Sequence, residues 1–334
     1  MKKLFQSLSI LVLGLVPCLP AFSAPSPADV MVAGRVDDAI VGLNRRIQGS
    51  PNDAEAYHLL SKAYYHLRMW DQAIAAGEHA VAIAPGDADY WLWLGRAYGE
   101  KADASSFITA AGLTKKVKSA FEKAVQLDNS NVDAASDLAE FYLEAPGFMG
   151  GGLDKARDEA TRIATLDQAK AHWVNARIAE KKKDYAGAER EFQEAIKASG
   201  NNASYWLNLA SFYRRAGRYS DMEATVKQAV AADKRKNNAY YDAATIFYRA
   251  GRNLPDAANL IRRYLSTSPS DDAPAFQAHY LLGAILEKEG DKQGAAAEYR
   301  TALSLASAYK PAQDGLKRVS SAHLVSGQQL APAE

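Results

Sequence analysis

Residues 89–98 read Asp89-Tyr90-Trp91-Leu92-Trp93-Leu94-Gly95-Arg96-Ala97-Tyr98. The positions i, i+3, i+4 and i+7 on one face of a helix are taken by Trp91, Leu94, Gly95 and Tyr98. Gly95 leaves room for a partner helix to come close, and the aromatic residues fill the space on either side. A single helical hairpin cannot bury such a face, so we expect the rest of the chain to supply neighbouring helices.

The same pattern recurs along the chain at intervals of about 34 residues. In this spacing, Trp-x-x-Leu-Gly-x-x-Tyr above all, the chain resembles the tetratricopeptide repeat (TPR) family, whose unit is a helix–turn–helix. The resemblance covers residues 36–320 and implies an all-α, right-handed superhelical solenoid of about seven repeats. We place the repeats at 54–87, 88–131, 132–168, 169–202, 203–236, 237–271 and 276–308, with a leading half repeat before them and a capping helix at 309–320.

Two insertions interrupt the repeat pattern. Residues 101–116 delay the second helix of the second repeat by about ten residues, and residues 145–152 form a Pro/Gly-rich loop in the third repeat. Both contain apolar side chains, namely Phe107, Ile108, Leu113, Phe148 and Met149. Because soluble proteins rarely expose such clusters, we expect the two insertions to pack on each other. A partner site is the alternative if they lie apart.

The N-terminus has the pattern of an export signal. Lys2 and Lys3 precede an apolar run, and Ala21 and Ser23 are small residues suited to cleavage after Ser23. We predict a signal peptide at 1–23, a flexible leader at 24–35 and a disordered tail at 321–334, in a protein that is periplasmic or secreted. The apolar run is shorter than the roughly 20 residues of a membrane span, so the mature chain has no predicted transmembrane segment. A retained anchor and a lipid on Cys18 are the alternatives.

The sequence contains no pattern of a catalytic, cofactor or metal site. Cys18 is the only cysteine, so cleavage of the signal leaves no thiol for disulfides, nucleophilic catalysis or metal binding. The six histidines form no His-Glu-x-x-His pair, and no nucleophile elbow or P-loop is present. His58 and His66 could face one groove, but two ligands are too few for a zinc site. We therefore predict no catalytic residues, no cofactor, no metal and no enzymatic activity.

The resemblance implies that the first helices line a concave groove, and that their side chains turned away from the core bind ligands. Carried onto this sequence, these groove residues are Lys62, Tyr65, His66, Trp93, Arg96, Trp173, Arg177, Lys181, Asn208, Ser211, Arg214, Arg215, Tyr241, Thr245, Tyr248, Arg249, Tyr280 and Glu287. Residues 213–264 hold eleven Lys/Arg and five Asp/Glu, whereas residues 25–110 hold seven Lys/Arg and eleven Asp/Glu. The C-terminal half of the predicted groove is therefore aromatic and basic.

This composition favours an exported scaffold that binds a protein or peptide in its groove. Arginine grips carboxylates with two hydrogen bonds and tyrosine supplies flat contact area, which suits an acidic peptide or a C-terminal tail. The Lys/Asn clamp of the chaperone-binding members of the family is absent, since His58 and Leu92 occupy two of its positions. The alternative function is binding of an anionic polymer or nucleic acid, which the export signal disfavours.

Overall fold

The computed structural model describes residues 26–233, 238–267 and 269–327. These ranges contain seventeen α-helices, one short 3-10 helix and no strand. The predicted all-α helical repeat fold is therefore confirmed. Within the same ranges, no helix combines the length and the apolar character needed to cross a bilayer. The predicted signal peptide lies outside the described residues.

The helices follow one another as antiparallel pairs, one pair in each predicted repeat. The chain begins with α1 (Pro27–Val32) and α2 (Val36–Gly49). The pairs are α3 (Ala54–His66) with α4 (Trp70–Ile83), α5 (Ala88–Asp103) with α6 (Phe107–Leu127), α7 (Val132–Glu144) with α8 (Leu153–Ala164), α9 (Gln168–Lys181) with α10 (Tyr185–Ala198), α11 (Ala203–Arg215) with α12 (Tyr219–Ala232), α13 (Asn238–Ala250) with α14 (Leu254–Leu265), and α15 (Ala275–Glu289) with α16 (Lys292–Leu305). The closing helix is α17 (Lys310–Gly327), and the 3-10 helix Gly147–Met149 lies between α7 and α8.

Local sequence explains where these helices begin and end. Short polar side chains accept hydrogen bonds from the free N–H groups of the first turn, as Asp53 does for α3 and Asp87 for α5. Gly217, Gly251 and Gly290 follow first helices with φ of 72°, 64° and 88°. These left-handed conformations carry no Cβ penalty for glycine, which confirms the three predicted helix ends.

Each pair is held by a close approach between its first and second helices. A Cβ added to Gly95 of α5 would lie 2.6 Å from the Phe121 ring of α6. The seventh repeat has the same arrangement, with Gly283 facing Tyr299 at 2.8 Å. The equivalent positions of the other repeats hold the small, buried residues Ser61, Ala139, Ala176, Ala210 and Ala244. Small size at this position therefore sets the distance between the two helices.

The two ends of the array meet, which we call the closure. Met31, Val36, Ala39 and Leu67 from the N-terminal helices belong to the same buried core as residues of α11–α17. Gly34 packs directly on Ala275, because a Cβ built on it would lie 2.7 Å from the Cβ of Ala275.

Polar contacts follow the same junction. Lys62 Nζ lies 3.4 Å from Asp271 Oδ2, Gln277 Nε2 donates to the His66 carbonyl at 3.0 Å, and the Ser307 N–H donates to Asp37 at 2.8 Å. The first repeat therefore packs on the seventh, which the repeat pattern did not predict.

Three segments differ from their predicted structure. Residues 27–32, predicted as part of a flexible leader, form α1, because Ser26 and Asp29 make a capping box and Met31 is buried in the closure. The insertion at 101–116 lengthens α6 to 21 residues instead of forming a long turn. The closing helix extends to Gly327, so residues 321–327 of the predicted tail are helical, and 328–334 lie outside the described residues.

We predict that Gly95→Ala destabilises the protein, although alanine is the better helix former. The new methyl group would force the buried Phe121 ring to move, which should cost about 1–3 kcal/mol of unfolding free energy. Gly99→Ala, one turn later in the same helix, is the matched control: no atom lies within 4 Å of a Cβ built at that position, and it should gain about 0.5–1 kcal/mol. Urea denaturation measures both, and equal effects would contradict the packing described here.

Candidate functional site

A cavity of about 410 Å³ opens between α11 and α13, the first helices of the fifth and sixth repeats. We call it the basic cavity. Its lining residues are Ser204, Leu207, Asn208, Ser211, Arg214, Arg215, Tyr241, Asp242, Thr245, Ile246 and Arg249. Seven of them are predicted groove residues, so the structure brings that part of the prediction together in one place.

The arginines of the basic cavity differ in how they are neutralised. Arg215 binds Glu180 with two hydrogen bonds of 2.6 and 2.8 Å. None of the ion pairs in the described part of the chain includes Arg214 or Arg249. Burial lowers the pKa of Arg214, and the neighbouring charges of Arg215 and Arg249 lower it further. The cavity therefore holds uncompensated positive charge.

This arrangement can bind an anionic group. Two guanidinium groups that form no ion pair among the described residues can each offer paired N–H donors to a carboxylate. The side chains of Asn208 and Ser211 lie on α11, the helix that carries Arg214, and can add hydrogen bonds to the anionic group. Asp242 is the single acidic lining residue, so the net charge of the lining stays positive.

The predicted groove residues near the N-terminus form a packed cluster around Trp93. Lys62 Nζ lies 4.5 Å and Arg96 Cζ 5.0 Å from the centroid of the Trp93 ring. The Tyr65 ring is perpendicular to the Trp93 ring, with the two centroids 5.5 Å apart. Lys62 also pairs with Asp271, and Arg96 pairs with Asp137 at 2.6 Å. His66 is only 6% exposed. The closure therefore covers much of this end of the predicted groove.

The middle of the predicted groove is neutralised by ion pairs. Arg177 contacts Glu140, Glu144 and Glu180 at 3.1–3.2 Å and is mostly buried. Lys181 also pairs with Glu144, at 2.9 Å. The half-buried Trp173 packs between the two core clusters, with Lys170 Nζ 5.5 Å from its ring. These residues hold adjacent repeats together and leave little free charge for a ligand.

The three remaining predicted groove residues, Tyr248, Tyr280 and Glu287, also have internal partners. Lys288 Nζ lies 4.1 Å from the Tyr248 ring centroid. Tyr280 packs against the rings of Tyr299 and Tyr309, at 5.9 and 5.4 Å. Glu287 accepts from Tyr299 at 2.6 Å and from Arg318 at 2.9 Å. They contribute to the end of the solenoid, outside the basic cavity.

Two kinds of lining residue were not predicted from the sequence. Ser204 and Asp242 line the basic cavity, and their only sequence signal is that they sit next to groove positions on α11 and α13. A second cleft, at the turns of the second and third repeats, is lined by Phe107, Phe141 and Met149 among others. The sequence signal there was the pair of apolar insertions, whose residues were predicted to be buried.

Comparison with known proteins agrees with this geometry. A family model described as tetratricopeptide repeat matches residues 174–239, 207–272 and 241–310. These matches begin in α9 and end after α16, so they include both helices of the basic cavity. The chain is a tetratricopeptide repeat protein. Such TPR proteins are typically non-catalytic and mediate interactions between proteins.

Three solved structures illustrate what this protein is similar to. Yeast Tom70 matches with a TM-score of 0.55 at 14% identity, over 89% of this chain and 60% of that one. TTC0263, a thermophilic TPR protein of Thermus thermophilus, matches with a TM-score of 0.46 at 18% identity, over 56% of this chain and 94% of that one. YrrB, described as a TPR protein with an unusual peptide-binding site, matches with a TM-score of 0.37 at 16% identity, over 60% of this chain and 99% of that one. No curated protein matches in sequence.

We predict that the closure weakens in acid because of His66. Burial lowers the pKa of His66 to about 4, and its Nε2 has no hydrogen-bond partner among the described residues. A histidine whose pKa is lower in the folded than in the unfolded protein contributes to the stability of the folded state above the unfolded pKa of about 6.5. This contribution is lost as the pH falls towards 4. Between pH 7 and pH 5 the loss should be about 2 kcal/mol.

Urea denaturation at the two pH values, for the wild type and for His66→Leu, measures this loss. The variant should show a smaller difference between pH 7 and pH 5, since leucine does not titrate. Equal pH dependence in both proteins would show that His66 does not carry the effect.

Proposed function

We propose that this TPR protein is a non-enzymatic scaffold that binds an anionic segment of a partner protein in the basic cavity. The segment is an acidic peptide or a C-terminal tail. The observation that supports this proposal is the convergence of Arg214 and Arg249 on one cavity, where neither forms an ion pair among the described residues and Asp242 is the single acidic lining residue. By contrast, the other three arginines predicted in the groove, Arg96, Arg177 and Arg215, all have carboxylate partners.

A carboxylate would relieve the electrostatic cost of this arrangement. Burial lowers the pKa of Arg214, and repulsion from the neighbouring charges of Arg215 and Arg249 lowers it further. A terminal or side-chain carboxylate between the arginines would replace repulsion with charge-assisted hydrogen bonds. Tyr241 offers an aromatic surface at the same site, and Asn208 and Ser211 offer polar contacts to a peptide backbone.

A short peptide fits these observations better than an anionic polymer. A polymer needs a continuous row of free cations, because its affinity comes from many phosphate-like contacts. Ion pairs interrupt such a row here: Arg215 binds Glu180, Arg218 binds Glu189 and Asp221, and Arg252 binds Glu223. Two free arginines in a cavity of limited size match one or two carboxylates.

A library of peptides with free C-termini, selected on the wild-type protein, tests the proposal. We expect enrichment of acidic sequences, and at least a tenfold weaker affinity for Arg214→Ala/Arg249→Ala, about 1.4 kcal/mol or more. The melting temperature should stay close to that of the wild type, because both arginines lack ion-pair partners that would be left buried. Fluorescence anisotropy of an enriched peptide gives the affinities.

Arg190→Ala/Arg300→Ala is the matched control. These exposed arginines lie on α10 and α16, both second helices, and form no ion pair among the described residues. The control removes the same charge from another surface and should bind as the wild type does. Enriched peptides without acidic residues, or equal binding by both double variants, would place the binding site elsewhere.

We also propose that the protein is exported, with the scaffold supporting an envelope or secreted complex. The support is in the N-terminal sequence, with Lys2 and Lys3 before an apolar run and Ala21 and Ser23 at the cleavage positions. N-terminal sequencing of the protein from the extracytoplasmic fraction should find Ala24 as the first residue. An intact N-terminus, or a lipid on Cys18, would contradict cleavage after Ser23.

A further inference from the structure

A second cleft, of about 530 Å³, lies at the edge of the solenoid between the second and third repeats. We call it the edge cleft. The C-terminal ends of α5 and α7, the first turns of α6 and the 3-10 helix surround it. Its buried lining residues are apolar, with Val117, Phe121 and Phe141 all less than 10% exposed. Phe107 and Met149 also line the cleft. It has the shape of a binding site for an apolar side chain.

Three large apolar side chains are exposed beside the edge cleft. Phe107 is 71%, Ile108 84% and Phe148 79% exposed. Phe107 lines the cleft, and Ile108 and Phe148 are the chain neighbours of the lining residues Phe107 and Met149. The expected mutual burial of the two insertions is therefore wrong for these three residues, although the 3-10 helix does contact α6. Clustered exposure of this kind marks an interaction surface.

The fold does not need the segment that carries Phe107 and Ile108. The other six second helices have 12–14 residues, whereas α6 has 21. All buried residues of α6 lie from Val117 onwards, and the preceding turns contribute none. The extension therefore adds only the partly buried Leu113 to the core and places Phe107 and Ile108 in solvent, and a partner that covers these two side chains would explain their exposure.

The charge around the edge cleft is opposite to that of the basic cavity. Five acidic side chains and a single arginine line it: Glu100, Asp103, Asp137, Glu140, Glu144 and Arg96. Arg96 pairs with Asp137, and Arg177 from the next repeat reaches Glu140 and Glu144. Glu100 and Asp103 take part in no ion pair within the described ranges. The mouth of the cleft is thus both apolar and acidic.

We propose that the edge cleft docks an amphipathic segment of a second protein, with large apolar side chains flanked by lysine or arginine. The apolar residues would cover Phe107, Ile108 and Phe148, and the basic residues would face Glu100 and Asp103. Acidic lipid headgroups would be repelled by the same carboxylates. In a twofold contact between two copies the acidic rim would face itself, which costs energy. A basic, apolar partner segment avoids both penalties.

A labelled amphipathic peptide of leucine, phenylalanine and lysine, about 14 residues or four helical turns long, is the probe. Fluorescence anisotropy should show at least about tenfold weaker binding to Phe107→Ser/Ile108→Ser/Phe148→Ser than to the wild type. The replaced side chains are exposed, so the variant should keep its melting temperature. The counterpart peptides, with glutamate for lysine or serine for the apolar residues, should bind the wild type at least about tenfold more weakly.

Val41→Ser/Leu166→Ser/Tyr185→Ser is the matched control, since it removes three other exposed apolar side chains, 46–51% accessible, from scattered positions. It should bind the lysine peptide within about twofold of the wild type, because isolated exposed apolar residues are not binding sites. Arg214→Ala/Arg249→Ala should also bind it normally, which separates this proposal from that for the basic cavity. Glu100→Gln/Asp103→Asn should weaken binding and reduce its salt dependence.

Three results would overturn the proposal. The first is equal affinity of the lysine peptide for the wild type and the Phe107/Ile108/Phe148 variant. The second is co-sedimentation of the wild type with phosphatidylglycerol vesicles that this variant loses, which would make a membrane the occupant. The third is a wild-type dimer in sedimentation equilibrium that the variant cannot form, which would make the occupant a second copy of the chain.

Discussion

The close approach of two helices inside each repeat is the constraint on which the rest of the molecule depends. At Gly95 and Gly283 only a glycine fits against the facing ring, and the other repeats use serine or alanine at the same position. Because every first helix is held against its own second helix at this point, its opposite side is free to contribute to the concave face. Asn208, Ser211 and Arg214 on α11 reach the basic cavity for that reason. Packing in the core thus determines which side chains are available for binding.

Ion pairs decide which of these available side chains are free to bind. Arginines are spread along the first helices, but Arg96, Arg177 and Arg215 are used between neighbouring repeats. Of the residues that line the two sites, Arg214 and Arg249 at the fifth and sixth repeats and Glu100 and Asp103 at the second form no ion pair among the described residues. One solenoid therefore offers a positive site and a negative site at different repeats. A scaffold with two such sites can distinguish its partners by charge and can hold both at once.

The repeat frame and the basic cavity could be predicted because they depend on local spacing. Gly217, Gly251 and Gly290 end helices through their own conformation, and Arg214 and Arg249 meet because adjacent first helices are neighbours in every such array. The closure could not be predicted, since the contact of Lys62 with Asp271 joins residues 209 positions apart and leaves no periodic pattern. The lengthened α6 was also missed, because an insertion at 101–116 reads equally well as a loop or as extra helical turns. Burial of Phe107 and Ile108 was expected from their apolar character alone, which does not reveal what covers a side chain.

The closure has a consequence for how the chain folds. In an open array each repeat touches only its neighbours, so the terminal repeats fray first and the middle can fold before the ends exist. Here the first repeat, which already packs on α2 and on the second repeat, gains a further contact only when the seventh has formed, and bringing the two together costs loop-closure entropy over some two hundred residues of chain. Until synthesis reaches α15, the contacts of Gly34 with Ala275 and of the His66 carbonyl with Gln277 cannot form. The closure therefore links the two ends of the array, so loss of either end would remove contacts that hold the other.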